Sequence, residues 1–264
     1  MRAIIFILAA ALAASAQDRT PDAKEVALGA QLAREIRGRT TAIENPAVQD
    51  YIERIGRKLA GTKVYEFALI SDDAGGYTHE PLSLPGGYIF VSAGLILGAA
   101  DQAELAGMMA HAMTHLTLPL PQPQSNGGAI PLVFIGGWQG LGPAGNGSVV
   151  PMSVLKTQRE NESRADLLAV RTLAEAGYDP EALTRYLARI KPSPGTNARL
   201  FSALPDPETR IAAIRQAIAE LPARTYPPAD PDEFGRMQEQ VRNTVRPNVV
   251  PPQERPRPTL KRQN

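Results

Sequence analysis

Apolar residues recur with a helical period along most of the chain, and this pattern predicts a largely helical protein. The predicted helices cover residues 25–37, 46–59, 101–116, 157–176, 179–190, 208–221 and a shorter stretch within 227–242. Their ends carry matching signals. Asn45 and Pro46 are typical of an N-cap followed by a first helical residue, and Gly177 is typical of a C-cap.

Two segments have strand character instead. Residues 63–71 and the short run 88–91 are rich in β-branched and aromatic side chains, and glycines occupy the turns at 75–76 and 86–87. The simplest arrangement pairs the two strands through a glycine-rich turn. We therefore expect an α+β fold, mostly helical, with a small antiparallel sheet.

The two ends of the sequence differ from its middle. Residues 1–16 combine Arg2, an apolar run and Ala14-Ser15-Ala16 before Gln17, which is the pattern of a signal peptide. An uncleaved N-terminal anchor is the alternative. Residues 245–264 are Pro-rich and basic, and we expect them to be disordered. The expected organisation is a signal peptide at 1–16, one domain at 17–244 and a tail at 245–264, in a protein exported to the periplasm or beyond the cell.

Composition narrows the possible functions. The chain has no Cys, so it contains no disulfide and no Cys-linked lipid. Its net charge is +1 and only 5% of its residues are aromatic, which argues against nucleic-acid binding. The tail carries five Lys or Arg against one Glu, so it either contacts anionic lipid weakly or is simply solvated. Membrane contact is thus expected to be peripheral at most.

A long irregular segment follows the predicted helix at residues 101–116 and precedes the one at 157–176. Residues 117–150 hold eight Gly and five Pro. Segments of this length are often functional, and a lid over a site is one interpretation. A plain connection is the other, and the sequence does not choose between them.

The most informative motif is a histidine pair. His111 and His115 are two of only three histidines in the chain, and they lie four residues apart in a predicted helix. Side chains at this spacing share one face, so both imidazoles can bind one zinc ion. Glu162, on the helix predicted downstream, is the candidate third ligand. Asp166, one turn further on, is placed to orient a ligating histidine.

Ala112 occupies the position between the histidines that decides the chemistry. In the zinc-peptidase motif His-Glu-x-x-His, the two histidines bind the metal and the glutamate is the general base. Here the motif is His111-Ala112-Met113-Thr114-His115. The sequence therefore predicts a metal site (His111, His115 and Glu162) without a catalytic residue at the base position. Substitute bases are hard to find, because Glu104 lies about two turns from His111 on the same helix.

Several segments, in order, resemble peptidase family M48, the zinc metallopeptidases that include CAAX prenyl proteases and exported bacterial enzymes. The matching segments are residues 25–29, 45–56, 84–91, 103–107, 162–166 and 176–180. The resemblance implies a gluzincin-type metallopeptidase domain. It also implies one Zn²⁺ held by two histidines of one helix and a glutamate of another, here His111, His115 and Glu162.

The chain departs from the family pattern at three places. Ala112 replaces the catalytic glutamate, Leu204 stands where the family usually has a histidine before proline, and residues 79–83 replace an Asn-Ala-Phe-Ala segment. The first two changes remove side-chain chemistry while the expected zinc ligands remain. This pattern favours a protein that still binds the metal and no longer hydrolyses peptide bonds.

Three functions remain open from the sequence. The first is a catalytically impaired, exported peptidase-family protein in protein quality control, which binds unfolded or misassembled envelope proteins or peptides. Such a partner would add a strand along the edge formed by Tyr88, Ile89, Phe90 and Val91. The second is an active zinc metalloendopeptidase with a non-standard base. The third is a metal-free structural or interaction module.

Overall fold

A computed structural model of the chain describes residues 22–71, 81–118, 152–189 and 206–245, with the backbone alone at residues 39 and 152–159. The described helices are α1 (Ala23–Arg39), α2 (Pro46–Ala60), α3 (Ala93–Gly98), α4 (Gln102–His115), α5 (Met152–Glu175), α6 (Glu181–Arg189), α7 (Pro207–Ala219) and α8 (Pro231–Val245). The described strands are β1 (Thr41–Ala42), β2 (Glu66–Ser71), β3 (Leu82–Leu84) and β4 (Tyr88–Ser92). The mostly helical α+β fold is confirmed, whereas α3, β1 and β3 were not predicted.

Some predictions lie outside the described residues. These are the signal peptide at 1–16, most of the segment 117–150, and the tail from residue 246 onward. The last helix, α8, includes Val245, so it reaches the predicted start of the tail. In the described part of the chain, no helix has both the length and the apolar character that crossing a bilayer requires.

The helix ends follow the signals in the sequence. Asn45 caps α2 by accepting a hydrogen bond from the backbone N–H of Val48, and Pro46 is the first helical residue. Gly177, with φ of 73°, follows α5. The backbone N–H of Tyr178 donates to the carbonyl of Leu173 at 2.9 Å, and Gly177 donates to Ala174 at 3.1 Å. These two bonds form a Schellman motif, which fixes where α5 stops.

The sheet has four strands in the order β1-β2-β4-β3. β3 and β4 form an antiparallel hairpin, but β2 and β4 run parallel, with Glu66 opposite Tyr88 and Ile70 opposite Ser92. The prediction of an antiparallel sheet was therefore wrong for this pair. The reason is local: Gly86 and Gly87, at φ of 83° and 95°, turn β3 back onto β4. The short β3 takes the antiparallel position, and β2 is left on the other side of β4.

The sheet separates two apolar clusters. On one face, α1 contributes Leu32 and Ile36, which pack with Leu82, Leu84 and Phe90. On the other face, Ile89 and Val91 belong to a larger cluster that joins α2, α4, α5, α6 and α8. Side chains of β4 alternate between the two clusters, as the strand period requires.

Helix α4 lies at the centre of the larger cluster. Asp101 caps it by accepting from the backbone N–H of Glu104 at 2.8 Å, and every residue from 104 to 114 is buried. α4 packs mainly against α5, and α6 approaches it where Gly107 faces Leu183. Because α4 is held on all sides, its side chains have fixed directions. Two of those side chains are His111 and His115.

Candidate metal centre

His111 and His115 leave α4 one turn apart and converge. Their Nε2 atoms lie 3.1 Å from each other. The side chain of His111 is almost fully buried, and that of His115 is 14% exposed. The two imidazoles therefore share one face of α4, and His115 is the more exposed of the two. This arrangement is the one predicted from the spacing of the two residues.

Glu162 of α5 completes the group. Its Oε2 atom lies 3.3 Å from Nε2 of His111, and its Oε1 atom lies 3.6 Å from Nε2 of His115. A tetrahedral ion with ligands at about 2.0–2.1 Å has ligand-to-ligand separations of about 3.3–3.4 Å. The three donor groups are spaced close to that value, and two imidazoles with one carboxylate are a donor set that zinc accepts. His111, His115 and Glu162 thus form a group that could hold a metal ion.

Asp166 lies behind His111, on the side away from the ligand group. Its Oδ1 atom is 2.9 Å from Nδ1 of His111, and both side chains are buried. Glu162 and Asp166 are four residues apart on α5, so both carboxylates face α4. A carboxylate at Nδ1 favours the tautomer in which Nε2 is free to bind a metal. The predicted supporting role of Asp166 is consistent with this geometry and stays a prediction until metal binding is measured.

Arg210 is a residue of the centre that the sequence interpretation missed. Its Nε and Nη2 atoms donate to Oδ2 and Oδ1 of Asp166, each at 2.8 Å. Asp206 caps α7 and Pro207 begins it, which places Arg210 in the first turn. The sequence carried only an indirect signal, because Arg210 lies four residues before the apolar Ile214, on the face that α7 buries, and this spacing does not identify a partner. A cation on the buried face of a helix calls for a buried anion, and here Asp166 is that anion.

Each charged group of the centre favours the ionised form of its neighbours. Burial alone would lower the pKa of His111, but Asp166 and Glu162 outweigh it and raise the pKa to about 10. Burial would raise the pKa of Glu162, yet the imidazoles of His115 and His111 hold it well below its ordinary value. Burial opposes ionisation of Asp166 too, and Arg210 still lowers its pKa to about 2. A site with two ionised carboxylates around two imidazoles strongly favours a cation, and a divalent metal ion can replace the proton.

A second contact fixes α4 against α5 beside the centre. The hydroxyl of Thr114 donates to the carbonyl of His111 at 2.7 Å and lies 3.2 Å from the carbonyl of Ala165. Thr114 is itself buried. A side-chain hydroxyl of the histidine helix thus lies against the backbone of the glutamate helix, beside the ligand side chains.

Ala112 lies between the two histidines in sequence and is 1% exposed. Its side chain is a methyl group, which cannot accept a proton. Glu104, the nearest acidic residue on α4, is not a replacement. Its carboxylate accepts a hydrogen bond from the backbone N–H of Ala100 at 2.8 Å and is also bound by Arg189. These partners hold the Glu104 carboxylate at the start of α4, nearly two turns before His111.

Glu160 lies two residues before Glu162 on α5. Glu160 is exposed on α5, whereas Glu162 is buried, as expected for residues two apart on a helix. His79, Glu80 and Leu204 lie outside the described residues.

The predicted substrate edge was wrong. Tyr88, Ile89 and Phe90 are paired with β2 on one side and with β3 on the other, and Val91 pairs with Leu69 of β2. β4 is an interior strand, because the unpredicted β3 covers it. Among the described strands, the outer positions belong to β1 and β3. A partner strand adding to the described sheet would have to use one of those two.

Comparisons with known proteins find similarity to peptidases. Residues 143–218 match peptidase family M48, a stretch that contains Glu162, Asp166 and Arg210. The chain is 25% identical over 245 residues to a Vibrio cholerae protein named "Putative beta-barrel assembly-enhancing protease", with 78% of this chain and 45% of the relative covered. It is 22% identical to the beta-barrel assembly-enhancing proteases of Escherichia coli (75% of this chain, 44% of the relative) and Yersinia pestis (80% and 47%). The chain spans less than half the length of these relatives.

Proposed function

We propose that the chain is an exported, zinc-binding member of peptidase family M48, which its residues 143–218 match, and that it binds envelope proteins in quality control with little or no proteolysis. The observation that carries this proposal is the contrast between the metal-ligand group on α4 and α5, which is present, and the general base on α4, which is absent. The ligand group of His111, His115 and Glu162 is assembled and supported, whereas Ala112 stands at the position of the general base.

The proposed loss of hydrolysis follows from what each side chain can do. Zinc, when bound, supplies a Lewis acid that polarises a carbonyl group. His111, His115 and Glu162 would hold it, and Asp166 would keep Nε2 of His111 directed at it. No proton can be taken or returned at Ala112. A positioned general acid or base contributes typically about 10²–10⁴-fold to rate, so that factor is missing here.

The proposed partners are unfolded or misassembled envelope proteins. Support comes from the relatives, whose names describe proteases that enhance β-barrel assembly. A protein that keeps the peptidase architecture without the base would hold a client chain instead of cutting it. It would act as a chaperone, an adaptor or a decoy.

Export is the second part of the proposal and rests on residues 1–16. Their charged start, apolar run and Ala14-Ser15-Ala16 site fit a cleaved signal peptide. Expression in a Gram-negative host should yield a periplasmic form whose mass matches a chain beginning at Gln17. A form that keeps residues 1–16 and sediments with membranes would favour the uncleaved anchor instead.

The binding proposal is tested with a urea-denatured β-barrel outer-membrane protein diluted into the wild-type chain. Light scattering measures its aggregation, and gel electrophoresis measures its fragmentation. We expect suppressed aggregation and an intact client. Cleavage that is stopped both by a chelator and by His111→Ala would establish an active metalloendopeptidase. A result with no suppression of aggregation and no cleavage of the client would overturn the client-binding proposal.

A further inference from the structure

We propose that Arg210 is a positioning residue for the metal centre, which sets metal affinity by holding Asp166 against His111. The inference rests on the proposed function, since it concerns metal binding at the same group of ligands. Arg210 belongs to α7, an element that contributes no ligand to that group.

The geometry shows how Arg210 acts through Asp166. The guanidinium forms a two-point contact, with Nε bonded to Oδ2 and Nη2 bonded to Oδ1. Oδ1 is also the oxygen that lies 2.9 Å from Nδ1 of His111. One oxygen therefore faces both the guanidinium and the imidazole. Because both carboxylate oxygens are held by Arg210, the plane of the carboxylate cannot turn away from His111.

Burial makes this contact more than a surface ion pair. The side chains of Arg210, Asp166 and His111 are 7%, 2% and 4% exposed. Water can therefore do little to replace a lost partner. Without the guanidinium, Asp166 would be a buried anion with one fewer donor, and either its orientation or its ionisation would change. In both cases the imidazole of His111 would lose the support that keeps Nε2 directed at the ligand group.

The chemistry of arginine fits this role better than that of lysine. A guanidinium binds both oxygens of a carboxylate in one plane, whereas an ammonium acts as a single point charge. Arg210→Lys keeps the positive charge and loses the two-point contact. Arg210→Met removes the charge and keeps an unbranched apolar side chain. Arg215, which is exposed on the same helix, offers a matched control as Arg215→Met.

The consequence expected from supporting residues of this kind is a loss of about 10–100-fold in metal affinity. A residue that merely attaches α7 to α5 would change the stability of the metal-free chain without changing the affinity of the folded protein for metal. Metal affinity and protein stability therefore separate the two roles.

The experiment measures the dissociation constant for Zn²⁺ by competition with a chromophoric chelator, in the full-length mature chain. Arg210→Met should weaken binding about 10–100-fold, Arg210→Lys should weaken it less, and Arg215→Met should bind as the wild type does. The Co²⁺ form should show a changed visible spectrum in both Arg210 variants. If Arg210→Met does not fold, Arg210→Lys carries the test.

A double-mutant cycle with Asp166→Asn locates the effect. If Arg210 acts through Asp166, Arg210→Lys should change zinc affinity far less in the Asp166→Asn background than in the wild type. Wild-type affinity and spectra in the Arg210 variants would overturn this inference and leave the proposed function intact. A wild-type chain that binds no zinc would overturn both.

Discussion

The Nε2 atoms of His111 and His115 lie 3.1 Å apart, on side chains that leave α4 one turn from each other. Two protonated imidazoles would repel at this distance. With Glu162 across from them, the pair is instead arranged to share one cation. The ligands come from two helices, so a bound ion would link α4 to α5 and stabilise the fold.

Removing the metal should therefore lower the melting temperature. An ion present at about a thousand times its dissociation constant stabilises a folded protein by about 4 kcal/mol. For a chain of this size we expect a fall of about 8–16 °C on chelation. Differential scanning calorimetry with and without a chelator measures it. A His111→Ala/Glu162→Ala double variant should show no chelator effect, and an unchanged wild-type melting temperature would favour the metal-free module.

Restoring a carboxylate at residue 112 should create or greatly raise proteolysis. The expected gain of Ala112→Glu over the wild type is about 10²–10⁴-fold, since a general base is then placed between the ligating histidines. Cleavage of a denatured protein, followed by gel electrophoresis, measures it. Ala112→Gln is the matched control, because it has nearly the same size and cannot act as the base. Equal activity in the wild type, Ala112→Gln and Ala112→Glu would contradict the role given to this position.

The seating of α1 on the β3–β4 turn should depend on Gly29. A Cβ at this position would lie 1.6 Å from the carbonyl oxygen of Pro85, so Gly29→Ala must displace the helix or the turn. We expect a loss of about 1–3 kcal/mol or more in the free energy of unfolding. Gly38→Ala, on the same helix, has nothing within 4 Å of its Cβ and should be neutral or stabilising by up to about 1 kcal/mol. Urea denaturation of both variants compares them, and equal effects would argue against this packing.

The sequence predicted the parts of the site that depend on local spacing. His111 and His115 share a helix face, and so do Glu162 and Asp166, because residues four apart on a helix always do. The helix ends at Asn45 and Gly177 follow from short-range capping chemistry. None of these features requires knowledge of which helix packs against which.

The features that were missed depend on contacts between distant segments. The pairing of Arg210 with Asp166 joins α7 to α5, and no local pattern specifies it. β3 is only three residues long and lies next to Pro85, so its composition gave a weak strand signal. Its insertion beside β4 also decided that β2 and β4 run parallel and that Tyr88 lies in an interior strand. One short strand thus accounts for both errors about the sheet.

We propose that this chain keeps a zinc site and lacks the base that would make it a peptidase. The most direct test is the zinc content of the mature chain, residues 17–264, after reloading and removal of excess metal. We predict about one zinc per chain in the wild type and none in His111→Ala or Glu162→Ala. A wild-type chain without zinc, or variants that retain it, would contradict the account.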